Sequence, residues 1–381
     1  MKSSDIFQIT HKDKKTKARI GILKTKKGKI ETPFFMPVST KGAAKFINSK
    51  KVEEMGAVAT ISNGFILSLR PGTKIIKKIG GLGKFMNFKG ANFTDSGGFQ
   101  MYSKSIYLSS DEKGVLFRNP ISGEKIFMTP EKDMEIQFDL GSDVAMCLDR
   151  MPLYEDSKKE IQDSVNLTTM WAKRCKKHHD KLQKKISSEK RQLLFGITQG
   201  GIYPDLREQS TKELLKLNFD GYSIGGFGMG ETFDEEMKIV KQQKSIFPEN
   251  KPIYLMGIGS PNEILEGISY GVDIFDSRMP TQNARRGTLF TSSGKLKILN
   301  KKYETDKSPI DKSCNCFVCK NYTKAYIRHL LKEEEPVGKE LASYHNLYYL
   351  QNLIRQAKEE IKKGKFNEFK DKIKKIYKKS S

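Results

Sequence analysis

Cysteine is scarce: five residues in 381 are too few for the disulfide scaffold of a small secreted domain. Long apolar runs are missing. None approaches the roughly 20 residues a helix needs to cross a bilayer, which excludes a membrane-spanning helix. The first residues, Met1 to Lys15, are polar and lack the apolar core of a secretory signal, so a cytoplasmic location is expected. Arginine is also rare, with 12 residues against 57 lysines.

Positive charge is abundant. A formal charge of +24 and a pI near 9.6 suit a polyanionic partner such as RNA. The lysine bias is equally well explained by a coding habit, so charge alone does not decide. The length allows two average domains, or one (β/α)8 barrel of about 250 residues with an appendage.

The order of apolar runs favours the barrel. Arg19 to Thr32 alternates around Lys26-Lys27-Gly28 and predicts a β-hairpin, read as a lid over 1–32. From Pro33 onward, eight short apolar runs alternate with segments of helical period. They are Phe34–Val38, Ala57–Ile61, Ala91–Thr94, Val144–Leu148, Leu193–Ile197, Tyr222–Ile224, Ile253–Met256 and Ile274–Phe275. Helices are predicted over Lys158–Lys181, Leu206–Leu217 and Asn262–Tyr270. The expected fold is therefore an α/β (β/α)8 TIM barrel over 33–298. Met101 to Met128, with turn signals at Asn119-Pro120 and Ser122-Gly123, reads as an insertion after the third strand. The segment 299–346 carries a cysteine cluster, and 347–381 reads as a helical segment closing the barrel. Its amphipathic stretch, Arg355 to Lys379, has apolar positions at Ile361, Phe366, Phe369, Ile373 and Ile376.

Catalytic residues of such barrels gather where strands end. Applied to the eight runs, that rule selects Asn63, Asp95, Asp149, Gln199, Gly225-Gly226, Gly257 and Asp276. Any one of these aspartates is equally readable as a helix N-cap; three at one rim are not. Asp95-Ser96-Gly97-Gly98, Gln199-Gly200-Gly201 and Gly225-Gly226 set side chains that bind beside glycines, which let a flat ligand approach the backbone. Histidine is absent from the strand ends, which argues against a zinc hydrolase with an open metal site. Cys314-x-Cys316-x-x-Cys319 reads as metal-binding, with His329 and His345 downstream.

Asp95–Gln100, Gln199–Gly201, Gly221–Gly226, Tyr254–Gly259, Phe275–Thr281 and the Cys-x-Cys-x-x-Cys…His array, in this order, resemble the tRNA-guanine transglycosylases from about Thr16 to Tyr377. The length resembles the bacterial branch. This resemblance implies exchange of guanine at the tRNA wobble position for a 7-deazaguanine, with Asp276 as nucleophile and Asp95 as general acid/base. It implies that Asp149, Gln199, Gly225 and Gly226 read the base edge, that Phe99 and Met256 sandwich its faces, and that Glu231 steadies a peptide switch. It selects His345 over His329 as fourth ligand to a structural Zn2+ with Cys314, Cys316 and Cys319. A homodimer and contact with the tRNA anticodon loop are implied as well.

The chain departs from the bacterial pattern in four places. Phe227-Gly228 stands for Leu-Ala, and Arg150-Met151 for Glu-Cys. Met151 and Met229 align with family positions that border the 7-substituent and are larger than the residues of queuine users, so the resemblance implies a small aminomethyl or cyano group. Ser260 and Gln282 replace two cations that read the flanking uridines, leaving Arg285 and Arg286 at that rim. Two alternatives stay open: an archaeal-type enzyme acting in the D-loop, and a non-catalytic tRNA-binding paralogue. Retention of Asp95 and Asp276 argues against the second.

Overall fold

In the computed structural model, residues 6–98, 103, 105–184, 186–228 and 230–378 are described. Phe99, Met101 and Met229 lie outside them.

Eight parallel strands form the centre: Phe34–Pro37, Ala59–Asn63, Ala91–Asp95, Val144–Met146, Leu193–Thr198, Gly221–Ile224, Ile253–Leu255 and Ile274–Ser277. Numbered one to eight along the chain, they lie in the order one, eight, seven, six, five, four, three, two. A parallel bridge between Val38 and Ile61 joins the first strand to the second and closes the ring. Each predicted run falls on one strand. The runs are continuous rather than alternating because both faces are covered, by helices outside and by packed side chains within. Phe34, Phe93, Phe195 and Tyr254 fill the interior, with Phe93 lying 6.1–6.4 Å, centroid to centroid, from the other three rings. The barrel is thus a packed core, and ligands are left its rims.

The predicted helices are found at Lys158–Gln183, Pro204–Leu215 and Pro261–Ser269. Capping boxes start the first and last of these, Ser157 with Glu160 and Ser260 with Glu263, each satisfying amides that the first turn leaves unbonded. The insertion after the third strand is an antiparallel sheet of Tyr107–Asp111, Gly114–Arg118 and Lys125–Met128. Its expected turn is closed by Gly123 N donating to Asn119 O at 2.9 Å. Trp171, fully buried, donates to Asp111 O at 3.2 Å and ties this sheet to the long helix behind the fourth strand.

Two expectations need correction. The N-terminal segment has a further strand, Phe7–Lys12, which pairs with Arg19–Thr25 and Gly28–Thr32 in one sheet. Ile6, Phe7, Leu23 and Ile30 enter the core of the barrel interior. Arg19 makes a paired contact with Asp273, 2.9 and 2.5 Å, just before the eighth strand starts. The sheet is therefore a floor at the end where strands begin, opposite the strand-end carboxylates, and not a lid over them. At the other terminus, helix Pro336–Lys362 runs through the boundary expected at 346, and the amphipathic stretch is split at Gly364, whose φ of +68° ends the helix before Phe366–Lys378. The long helix lies against the first strand, with Gln351 donating to Phe35 O at 3.0 Å, where a barrel's eighth helix belongs.

Candidate active site and metal centre

The strand-end residues selected from sequence meet at the upper rim. Asp95 closes the third strand and is half-buried; the nearby backbone amides of Ser96 and Gly97 favour its ionised form. Gly98 presses against the next strand end so tightly that any Cβ there would collide with the Asp149 carboxylate. Asp149, 5% exposed, accepts a hydrogen bond from Gln199 Nε2 at 2.6 Å. A Cβ on Gly226 would in turn strike Gln199 Oε1. The paired glycines thus have a physical reason: four consecutive strand ends are packed backbone to side chain.

Asp276, on the eighth strand, is also half-buried. Its Oδ1 accepts from Tyr254 Oη at 2.6 Å and from the Gly257 amide at 2.9 Å. Among the described residues its Oδ2 accepts no hydrogen bond. Tyr254 is the top of the aromatic interior, so the barrel core itself orients this carboxylate.

Three acids gathered at one largely buried rim resist ionisation. Burial first, then the charges of Asp149 and Asp276, push Asp95 up to about 7. Burial pushes Asp149 up to about 6 against the hydrogen bond from Gln199. Asp276 is raised by burial too, but the Gly257 amide and Tyr254 hydroxyl pull it back toward the ionised form. The arrangement holds one carboxyl poised to exchange a proton near neutrality beside another whose Oδ2 accepts no hydrogen bond among the described residues.

Other expected residues surround this centre. Met256 is half-buried directly after the seventh strand. Glu231 accepts a hydrogen bond from the Gly228 amide. Ser260 is engaged as the N-cap of helix Pro261–Ser269. Gln282 and Arg285 lie on the short helix Met279–Arg285 that follows Asp276, and Arg286 caps it. Arg285 stands 5.8 Å over the Phe46 ring. The sequence reading missed Tyr254 as a hydrogen-bond donor to Asp276 and Arg207, a fully buried arginine under the Gln199 and Gly225 loops. Tyr254 stood inside a strand run and a motif without a role of its own, and Arg207 was a charged residue on a predicted helix, which periodicity does not rank above a solvated one.

In the C-terminal part of the chain, Cys314, Cys316, Cys319 and His345 bring one ligand atom each to within 4.8 Å of all the others. His345 Nδ1 lies 4.0, 3.5 and 3.4 Å from the three sulfurs in that order. Ligand bonds of about 2.0–2.3 Å in a tetrahedron give edges of about 3.5 Å. His345 Nε2 lies 2.7 Å from Phe290 O, and donating its hydrogen there leaves the Nδ1 lone pair for a metal. The four residues fit a metal ion.

The chain matches known proteins along nearly its whole length. A family model described as "Queuine tRNA-ribosyltransferase" matches residues 13–379. A queuine tRNA-ribosyltransferase of Thermoanaerobacter sp. is 47% identical over 371 residues, covering 97% of each chain. That of Lysinibacillus sphaericus is 46% identical over 365 residues, 96% of this chain and 94% of the relative. That of Listeria innocua is 44% identical over the same shares. With the barrel, the rim of carboxylates and the Cys3His cluster in place, the chain belongs to the queuine tRNA-ribosyltransferase family of tRNA-guanine transglycosylases.

Proposed function

We propose that the protein exchanges guanine at the wobble position of tRNA for a 7-deazaguanine by double displacement through Asp276. The observation that carries this reading is the pairing of an oriented, half-free Asp276 with an Asp95 poised near neutrality. Asp276 Oδ2 attacks the ribose C1′, the glycosidic electron pair leaves with guanine, and Asp95 supplies the proton guanine needs. The incoming base then gives a proton to Asp95, its ring nitrogen bonds to C1′, and Asp276 departs as carboxylate. Asp149 and Gln199 read the base edge, so an arriving base replaces their mutual 2.6 Å hydrogen bond. A base lacking guanine's donors leaves buried groups unpaired, which makes this reading stringent. Phe99 and Met256 sandwich the base, and Arg285 and Arg286 with Gln282 and Ser260 line the path of the anticodon loop.

The 7-substituent is small and donates hydrogen bonds. Met151, 6% exposed, is read as one wall of the space for it. In the 227–228 peptide the amide faces Glu231, so the Phe227 carbonyl faces the other way, toward Gly257, where a Cβ would lie 3.6 Å from it. A carbonyl there suits an aminomethyl group better than the bulky cyclopentenediol of queuine.

Zinc suits three thiolates and an imidazole in a closed set, and its role there is structural. The partner subunit is a second copy of the chain: Phe317, Tyr326 and Val337, 44–50% exposed beside the metal centre, supply an apolar face, and a single-chain mass in sedimentation would remove this element. A cytoplasmic location goes with the tRNA substrate; among the described residues no helix is long and apolar enough to cross a membrane.

The test is displacement of labelled guanine from tRNA by a panel of 7-substituted deazaguanines without added cofactor. Release from the wobble position, driven best by the aminomethyl base, is expected. Release from the D-loop only, or preference for queuine, defeats the respective part.

The pH profile gives a second check. Guanine release should fall about tenfold per unit above pH 7, as Asp95, at about 7, loses the proton it must give. Asp95→Asn should cut the rate about 100- to 10,000-fold and remove that alkaline limb. The same substitution should raise thermal stability. The folded state holds the Asp95 proton more tightly than the unfolded chain, so the parent loses stability as pH rises from 3.8 to about 7 and the asparagine variant does not. Its advantage in Tm should be full at pH 8 and shrink toward pH 5. An alkaline limb that survives in Asp95→Asn would assign it to another group.

A further inference from the structure

Arg207 has no role in the reaction as derived so far, yet it is fully buried directly beneath the base-reading loops. It lies near the start of helix Pro204–Leu215. Its Nε donates to Gly201 O at 2.7 Å, and its Nη1 to Gly225 O at 2.8 Å and to Thr198 O at 3.3 Å. One planar guanidinium therefore joins the loops that follow the fifth and sixth strands. The Phe227 ring lies over it, 4.4 Å from Cζ to centroid. Among the described residues its Nη2 donates to no acceptor; it faces Gly226, where a Cβ would lie 3.6 Å away. Burying such a cation is costly, and neutral carbonyls plus the more distant charges of Glu231 and Glu236 compensate it.

Peptide geometry gives this cost a consequence. Gly225 C=O and Gly226 N–H belong to one trans peptide unit, so they point in opposite directions. Arg207 grips the oxygen from below; the Gly226 amide is thereby turned up, and among the described residues it donates to no protein acceptor. Gly226 has a φ of +78° and Gly228 of +79°, so two of the residues around Phe227 resist conformational drift only weakly. The stacked Phe227 ring is the one bulky anchor between them.

We infer that Arg207 is a positioning residue of the base pocket, which aims the Gly226 amide at the base carbonyl and, through Phe227, fixes the facing of the 227–228 peptide that meets the 7-substituent. This rests on the reading that Gly226 and Asp149 hold the base. Lysine cannot reproduce the arrangement: a point charge on a flexible stem neither bridges three carbonyls in one plane nor stacks flat under a ring.

Arg207→Lys is expected to raise the KM for the free base about tenfold, the loss of one good hydrogen bond to a base, with the KM for tRNA within about twofold of the parent, since phosphate contacts that dominate RNA affinity lie elsewhere. It should also shift the preference between guanine and 7-aminomethyl-deazaguanine, a readout that loss of stability alone would not move. Phe227→Leu removes the stack but keeps the buried charge and the three carbonyl bonds, so it should fold and shift the same preference with a smaller change in base KM. A folded Arg207→Lys protein with parental base KM and preference overturns the inference. So does an unaltered preference in Phe227→Leu if Arg207→Lys does not fold. Asp149→Asn, measured alongside, separates the two levels: an unchanged base KM in that variant would bring down the pocket reading itself.

Discussion

Asp276→Asn is expected to abolish the denaturation-resistant adduct between protein and tRNA and to lower turnover on the order of 10^4-fold or more. An amide oxygen is too weak a nucleophile to displace guanine, so the covalent step is lost. The substitution is otherwise mild. Asparagine Oδ1 still accepts from Tyr254 and from the Gly257 amide, which hold the aspartate at 2.6 and 2.9 Å, so the geometry of the rim survives. Affinity for tRNA should stay within about threefold, because it is dominated by phosphate contacts. The assay is a denaturing gel of enzyme trapped on tRNA, with binding measured in parallel. A band that persists in Asp276→Asn would move the nucleophile to another residue, with Asp95 or Asp149 the first to examine.

Cys316→Ser should release the metal and unfold the C-terminal subdomain before it touches the chemistry. Cys316 has two tasks: it is a ligand candidate, and its sulfur accepts from the Cys319 amide at 3.3 Å as N-cap of helix Phe317–Asn321. Serine keeps the cap and loses the thiolate, so the change reports on the metal alone. Structural zinc contributes on the order of 10 kcal/mol to small domains, comparable to the whole net stability of a typical fold. The loss would spread through His345, whose Nε2 is joined to Phe290 O. Its neighbour Asn346 accepts from Phe290 N and donates to Pro280 O and Thr288 O. A lower Tm, new protease cleavage within 299–345, and near-parental guanine exchange at low temperature are expected. Metal analysis finding no zinc in the parent protein would defeat the assignment.

The barrel was legible in the sequence because its strands are buried on both faces. Eight apolar runs separated by helical periods admit few other layered arrangements, and each run found its strand. The Cys314, Cys316 and Cys319 cluster was legible because thiolates so close together have few uses apart from a metal. The strand-end aspartates and glycines were legible because barrel topology assigns positions to roles before any coordinates exist. Terminal segments were not. Strand Phe7–Lys12 is short and polar, with burial only at its first residue, and nothing local shows that its sheet plugs the floor. The break at Gly364 was hidden inside an amphipathic pattern that continues across it, since the two helices it separates both turn apolar faces to the barrel.

Residue types and their order therefore determined the fold class, the metal cluster and which carboxylates stand at strand ends. Only the tertiary structure decided how those carboxylates differ. Asp95 and Asp276 are the same chemical group, yet one is raised to about 7 by burial and neighbouring charge, while the other is drawn back by Tyr254 and Gly257. Both donors come from elsewhere in the chain, Tyr254 from the seventh strand and Gly257 from the turn after it, and the Arg207 that underlies the sixth-strand loop comes from a helix 18 residues before Gly225. Proton affinity and the aim of a peptide depend on what lies within a few ångströms, and folding, not sequence proximity, sets those neighbours.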